Sequence, residues 1–132
     1  MDIKFVQLQK HGDERGLLVA IEDQRNVPFA IRRVYYLFDT KPDIRRGFHA
    51  HRQINQLAIV VRGSCRFYLD DGKEKIDILL DNPAQGLMLP PMLWHEMYDF
   101  SEDCVLMVVA DGHYDESDYI RSHDEFLELT KK

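Results

Sequence analysis

Apolar residues along this chain fall in short runs, and a turn signal separates nearly every pair of runs. Residues 5–9 read as a first strand, 12–16 as a turn, and 17–21 as the strand that follows. Residues 31–38 are rich in β-branched and aromatic side chains and predict another strand, which Lys41-Pro42-Asp43 breaks. Further strands are expected at 57–61, 64–69, 76–80, 86–89, 94–100 and 105–110, with a hairpin turn at Asp70-Asp71-Gly72-Lys73. Such spacing argues for an all-β sandwich or barrel. Only the end reads as helix. Ser122 with Glu125 three residues on forms a capping box, and Phe126, Leu127 and Leu129 give a partly apolar face before Lys131-Lys132.

Composition narrows the picture. At 132 residues the chain is expected to be one domain, 1–132, with ordinary apolar and charged fractions. A formal charge of -6 argues against nucleic acid as a general partner, because no global basic field collects phosphates. An anion can still bind locally, and Arg32-Arg33 and Arg45-Arg46 make two basic pairs. The N-terminus has no apolar stretch of signal-peptide length and no segment could span a bilayer, so a cytoplasmic protein is expected. Cys65 and Cys104 sit in apolar runs and read as small buried hydrophobes, not as a disulfide or zinc pair.

The densest chemistry is Arg46-Gly47-Phe48-His49-Ala50-His51. Side chains alternate across a strand, so His49 and His51 share a face, roughly 6–7 Å apart along it. Two imidazoles on one face serve either as metal ligands or as proton carriers near neutral pH. Tyr35 and Tyr36 must point to opposite faces, and Tyr35 shares parity with Arg33, which favours Tyr35 as the inward one. Trp94 reads as packing, and His11, His113 and His123 as solvated surface residues.

From Gly47 the chain reads Gly-x-His-x-His-x4-Gln-x6-Gly, ending at Gln56 and Gly63, and later Gly86-x3-Pro90-x4-His95. This resembles the two motifs of the cupin superfamily, and implies a double-stranded β-helix or jelly-roll barrel with a short C-terminal helix. Metal-binding cupins take an acidic ligand where this chain has Gln56. Losing that hard, charged oxygen disfavours a tight divalent site, so no metal is expected.

Asp13-Glu14-Arg15-Gly16 followed by Arg46-Gly47-x-His49 is similar to nucleotide-sugar cupins such as the dTDP-4-keto-6-deoxyglucose 3,5-epimerases. Arg33-Val34-Tyr35-Tyr36, the segment from Gly47 to His51, Trp94-His95-Glu96-Met97 and the segment from Tyr114 to Arg121 look closer to the dTDP-4-keto-6-deoxy-D-glucose 3,4-ketoisomerases of deoxy-aminosugar and surface-polysaccharide biosynthesis. That resemblance implies a dTDP-linked 4-keto-6-deoxyhexose as substrate and no cofactor. It implies His49 as the base at C3 and His51 as the shuttle between the C3 and C4 oxygens. Arg46 and Arg33 become candidates for the phosphates or the enediolate oxygen, and Tyr35 for a ligand contact. His95 with Arg15 resembles the branch whose product has the galacto configuration. In similar cupins the arm bearing Arg15 crosses to a neighbour, which implies a homodimer with exchanged N-terminal strands. The rival readings are a metal-dependent cupin enzyme, a sugar-nucleotide-binding module without catalysis, and a related epimerase.

Overall fold

The computed structural model describes residues 1–131. Its strands are β1 (Phe5–Gln7), β2 (Lys10–Asp13), β3 (Gly16–Val19), β4 (Arg33–Leu37), β5 (Arg46–His51), β6 (Gln56–Arg62), β7 (Cys65–Asp70), β8 (Lys75–Leu80), β9 (Gln85–Leu89), β10 (Trp94–Tyr98), β11 (Val105–Ala110) and β12 (Tyr119–Ile120). One helix, α1 (His123–Thr130), closes the described chain. Two five-stranded sheets, ordered β1-β9-β6-β11-β4 and β12-β5-β10-β7-β8, form the expected antiparallel jelly-roll sandwich.

Strand alternation distributes the apolar residues over three layers. Ala58, Val60, Phe67, Leu69, Leu87, Leu106 and Val108 fill the space between the sheets. Leu57, Ile59 and Val109 face outward from the first sheet and are covered by Leu8, Val27 and their neighbours. Ala50, Trp94 and Ile120 face outward from the second and bury Phe126 of α1. Ser122 caps that helix, its Oγ accepting from the Glu125 amide at 3.2 Å. Trp94 is therefore a packing residue, and its indole N–H donates to Glu96 at 2.8 Å.

Several expectations need correction. The segment 12–16 is not all turn. β2 runs through Gly12 and Asp13, and only Glu14-Arg15 bridge to β3, held by the Asp13 carboxylate accepting from the Arg15 amide at 2.9 Å. The first strand stops at Gln7, because the Leu8 amide leaves the ladder for the Ala84 carbonyl. β12 is two residues long, too short for any periodicity to announce it. His123 is half-buried, not a free surface residue: its Nε2 lies 2.8 Å from an oxygen of buried Asp70, and its ring packs on Trp94.

β5 contains the distortion that shapes the site. His49 faces His95 and Gly47 faces Glu96 on β10, so Phe48 is an extra residue, a β-bulge. Gly47 and Phe48 both have positive φ, +95° and +58°. A Cβ on Gly47 would sit 2.9 Å from the His95 carbonyl oxygen. The glycine thus lets β5 seat closely against β10. In a regular strand Arg46 would face away from His49. The bulge resets the alternation, pairs Arg46 with inward-facing Met97, and brings Arg46 to the histidine face.

Candidate active site

His49, His51 and His95 form one cluster inside the sandwich. Ring centroids lie 5.0 Å apart for His49–His51, 4.5 Å for His49–His95 and 6.2 Å for His51–His95. Each ring commits Nδ1 to the protein. His49 Nδ1 meets the Gly47 carbonyl at 3.1 Å, His95 Nδ1 the Leu93 carbonyl at 3.2 Å, and His51 Nδ1 the Asp118 carboxylate at 2.9 Å. A carbonyl or carboxylate only accepts, so Nδ1 carries the proton, and in the neutral ring Nε2 is left with its lone pair. The Nε2 atoms of His49 and His51 are buried, and none of the described residues partners them. Burial is also the leading cause that holds all three rings below the usual imidazole range, His49 at about 4. Both orphaned nitrogens are therefore free bases at neutral pH.

Asp118 is a residue that sequence reasoning gave no role. It is buried on the short 3-10 turn Glu116–Asp118, and 67 residues separate it from His51. Its other oxygen accepts the Gln53 amide at 2.8 Å, which fixes the carboxylate. No spacing rule connects residues so far apart, and only the match of the segment from Tyr114 to Arg121 to the ketoisomerases drew notice to this stretch. Tyr119, next in the chain, pairs with His51 across β12 and β5 and lays its ring 4.8 Å from His49 and 4.5 Å from His51.

A cavity of about 210 Å³ opens beside His49, lined by Arg33, Tyr35, Arg46, Met97, Tyr119 and Arg121 among others. Among the described residues, neither Arg33 nor Arg46 pairs with a carboxylate. Arg33 lies over the Tyr35 ring at 4.5 Å and has a buried nitrogen without a partner. Arg121, unassigned by the sequence, stacks on Tyr119 and pairs with Glu116 at 2.7 Å, which holds the Glu116 carboxyl down at about 2. Three guanidinium groups on one mouth suit an anion in an otherwise acidic protein. A larger cavity of about 400 Å³ lies between the N-terminus and the β9–β10 loop, and none of the orphaned polar groups lines it.

Tyr35 faces the cavity, whereas Tyr36 is 63% exposed. Gln56, fully buried at the start of β6, donates from Nε2 to the Tyr35 hydroxyl at 3.0 Å. Among the described residues, no three His, Cys, Asp or Glu side chains converge to hold a metal ion. Arg15 is not brought to the site. It stands at the exposed tip of the β2–β3 hairpin, paired with Asp13 at 2.7 Å.

The model of the FdtA family, described as WxcM-like, C-terminal, matches residues 1–131. The TDP-4-oxo-6-deoxy-alpha-D-glucose-3,4-oxoisomerase of Aneurinibacillus thermoaerophilus is 52% identical over 132 residues, covering 100% of this chain and 95% of that one. Two solved enzymes of Campylobacter jejuni superpose closely. One is called a TDP-quinovose 3,4-ketoisomerase, with 44% identity, a TM-score of 0.91, and coverage of 96% of this chain and 98% of that one. The other is called a TDP-fucose-3,4-ketoisomerase, with 35% identity, a TM-score of 0.92, and coverage of 99% and 97%.

Proposed function

The chain belongs to the FdtA family, and from that premise we propose that it is a 3,4-ketoisomerase acting on dTDP-4-keto-6-deoxy-D-glucose. The observation that carries the reading is the pair of unpartnered Nε2 lone pairs on His49, which lines a cavity rimmed by arginines, and on His51, whose ring lies 5.0 Å from it. The hydrogen at C3 is acidic because the adjacent C4 carbonyl delocalises the charge it leaves. His49 removes it, giving an enediolate and an imidazolium. His51 takes the proton from O3 and delivers it to O4. His49 then returns its proton to C4, and the ketone stands at C3. Protons and electrons balance with no redox partner. Asp118 holds the His51 Nδ1 proton and stabilises the imidazolium form between the two transfers. Arg33, Arg46 and Arg121 take the diphosphate and the enediolate charge, Tyr35 contacts the sugar, and His95 packs behind His49 to fix its ring.

We assign the galacto product. In the chair of a gluco sugar, H3 and the H4 of a galacto product lie on the same face of the ring. One imidazole that takes H3 and returns the proton from its own side therefore leaves the C4 hydroxyl axial. Quinovose and fucose differ at this carbon, and the two Campylobacter names show that overall likeness does not choose between them. The choice rests on His49 as the single base at the cavity and on the likeness of His95 with Arg15 to the galacto branch. We place the enzyme in the cytoplasm, in deoxy-aminosugar synthesis for surface glycoconjugates, as a homodimer.

The test is proton NMR of chelator-treated protein with dTDP-4-keto-6-deoxyglucose in deuterated water. A new C3 ketone is the expected result, with deuterium at C4 in the fraction of turnovers in which the His49 imidazolium exchanges with solvent before it reprotonates C4, and a small H4 coupling in ordinary water marks the axial hydroxyl. Turnover only after metal is added would instead mean a metal cupin. Deuterium at C3 and C5 would mean an epimerase. Binding with neither a new ketone nor exchange would mean a non-catalytic module.

A further inference from the structure

We propose that Gln56 is a positioning residue that aims the phenol proton of Tyr35 at the carbonyl oxygen of the sugar. The inference rests on the ketoisomerase reading and names a further oxyanion donor for it. Gln56 starts β6 and Tyr35 lies on β4, and both strands flank β11 in the same sheet. Gln56 lies opposite Ala110 and Tyr35 opposite Val108, which places the two side chains on the same inner face.

A phenol has one proton to give. Because Tyr35 accepts from Gln56 Nε2, its own O–H must point elsewhere. Among the described residues no acceptor takes it, and the remaining direction is the cavity that Tyr35 lines. Burial raises the Tyr35 pKa, so the group remains a phenol and keeps that proton. The proton then meets the sugar oxygen on which negative charge grows when C3 is deprotonated, where a fixed donor is worth most. A carboxylate at position 56, as in the metal-binding pattern, would reverse the polarity. It would accept from Tyr35 and leave the sugar oxygen without its donor. An apolar residue would fill the space without leaving a buried oxygen unpartnered, as Gln56 Oε1 is.

The experiment uses chelator-treated full-length protein and dTDP-4-keto-6-deoxyglucose, with wild type measured first. Failure of wild type to turn over overturns the ketoisomerase reading itself. With wild type active, Tyr35→Phe is expected to lower kcat on the order of 10²-fold with little change in KM. Gln56→Glu is expected to fall as far at pH 8. Its rate relative to wild type then climbs as pH falls, because the protonated carboxyl again donates to Tyr35. Burial lifts that ionisation toward neutrality, and wild type has no counterpart to it. A Gln56→Glu enzyme within a few-fold of wild type at every pH, or one whose deficit is the same at every pH, overturns the proposal. If thermal melts show that the carboxylate prevents folding, Gln56→Met decides. Its loss is expected to vanish in the Tyr35→Phe background, and additive losses overturn the proposal.

Discussion

At the scale of single residues, Asp118 decides which nitrogen of His51 carries a proton. Its carboxylate accepts from Nδ1, so Nε2 is the basic atom. Asp118→Asn keeps an oxygen for the Gln53 amide and turns an N–H toward His51. The imidazole must then move its proton to Nε2, and the shuttle loses its lone pair. The expected loss in kcat is on the order of 10²-fold or more with the fold intact. The pH profile gives an independent sign. Burial lowers the pKa of His49, His51 and His95, so the acid limb of kcat/KM, which reports the free enzyme, should lie below the ordinary imidazole value near 6.5 and extend toward the His49 value of about 4. Asp118 raises the His51 pKa, so its removal should move that limb to still lower pH. An acid limb at or above 6.5 in wild type, or an upward shift in Asp118→Asn, would contradict the assignment.

At the scale of elements, most strands were legible because a half-buried strand writes its alternation into the chain. β11 occupies the expected 105–110, and β7, β8 and β9 fall within a residue of expectation at each end. The bulge in β5 was not legible, because it breaks the alternation that would reveal it. Arg46 entered the site by family resemblance although its parity points it away, and β12 with Asp118 and Tyr119 carried no periodic signal at all. The bulge makes its own prediction. Gly47→Ala places a Cβ against the His95 carbonyl at a positive φ, which costs about 2 kcal/mol and several degrees of Tm. If β5 relaxes to a regular strand, Arg46 turns outward. KM for the nucleotide sugar should then rise more than kcat falls. An enzyme with wild-type Tm and KM would show that the bulge does not set the Arg46 face.

At the scale of the whole molecule, the protomer looks incomplete for its proposed ligand. A cavity of about 210 Å³ takes a hexose, whereas pockets for larger ligands run to several hundred Å³. Meanwhile, among the described residues, the β2–β3 hairpin pairs only with itself and leaves Leu17 67% and Leu18 59% exposed, with Arg15 at its tip. The outward face of β4 exposes Val34 and Tyr36, and Phe38 just beyond the strand is exposed too. A second copy would cover such surfaces, and a two-fold axis would carry each hairpin to the partner. If Arg15 completes the partner's site, Arg15→Ala and His49→Ala are each inactive as homodimers, yet each chain of a mixed dimer supplies what the other lacks. One of its two sites then holds both wild-type residues. Refolding equal amounts of the two variants together should restore about a quarter of wild-type activity, since half of the dimers are mixed and half of their sites are whole. Activity no greater than the sum of the separate variants would confine Arg15 to its own chain, and a fully active Arg15→Ala enzyme would remove it from the site altogether.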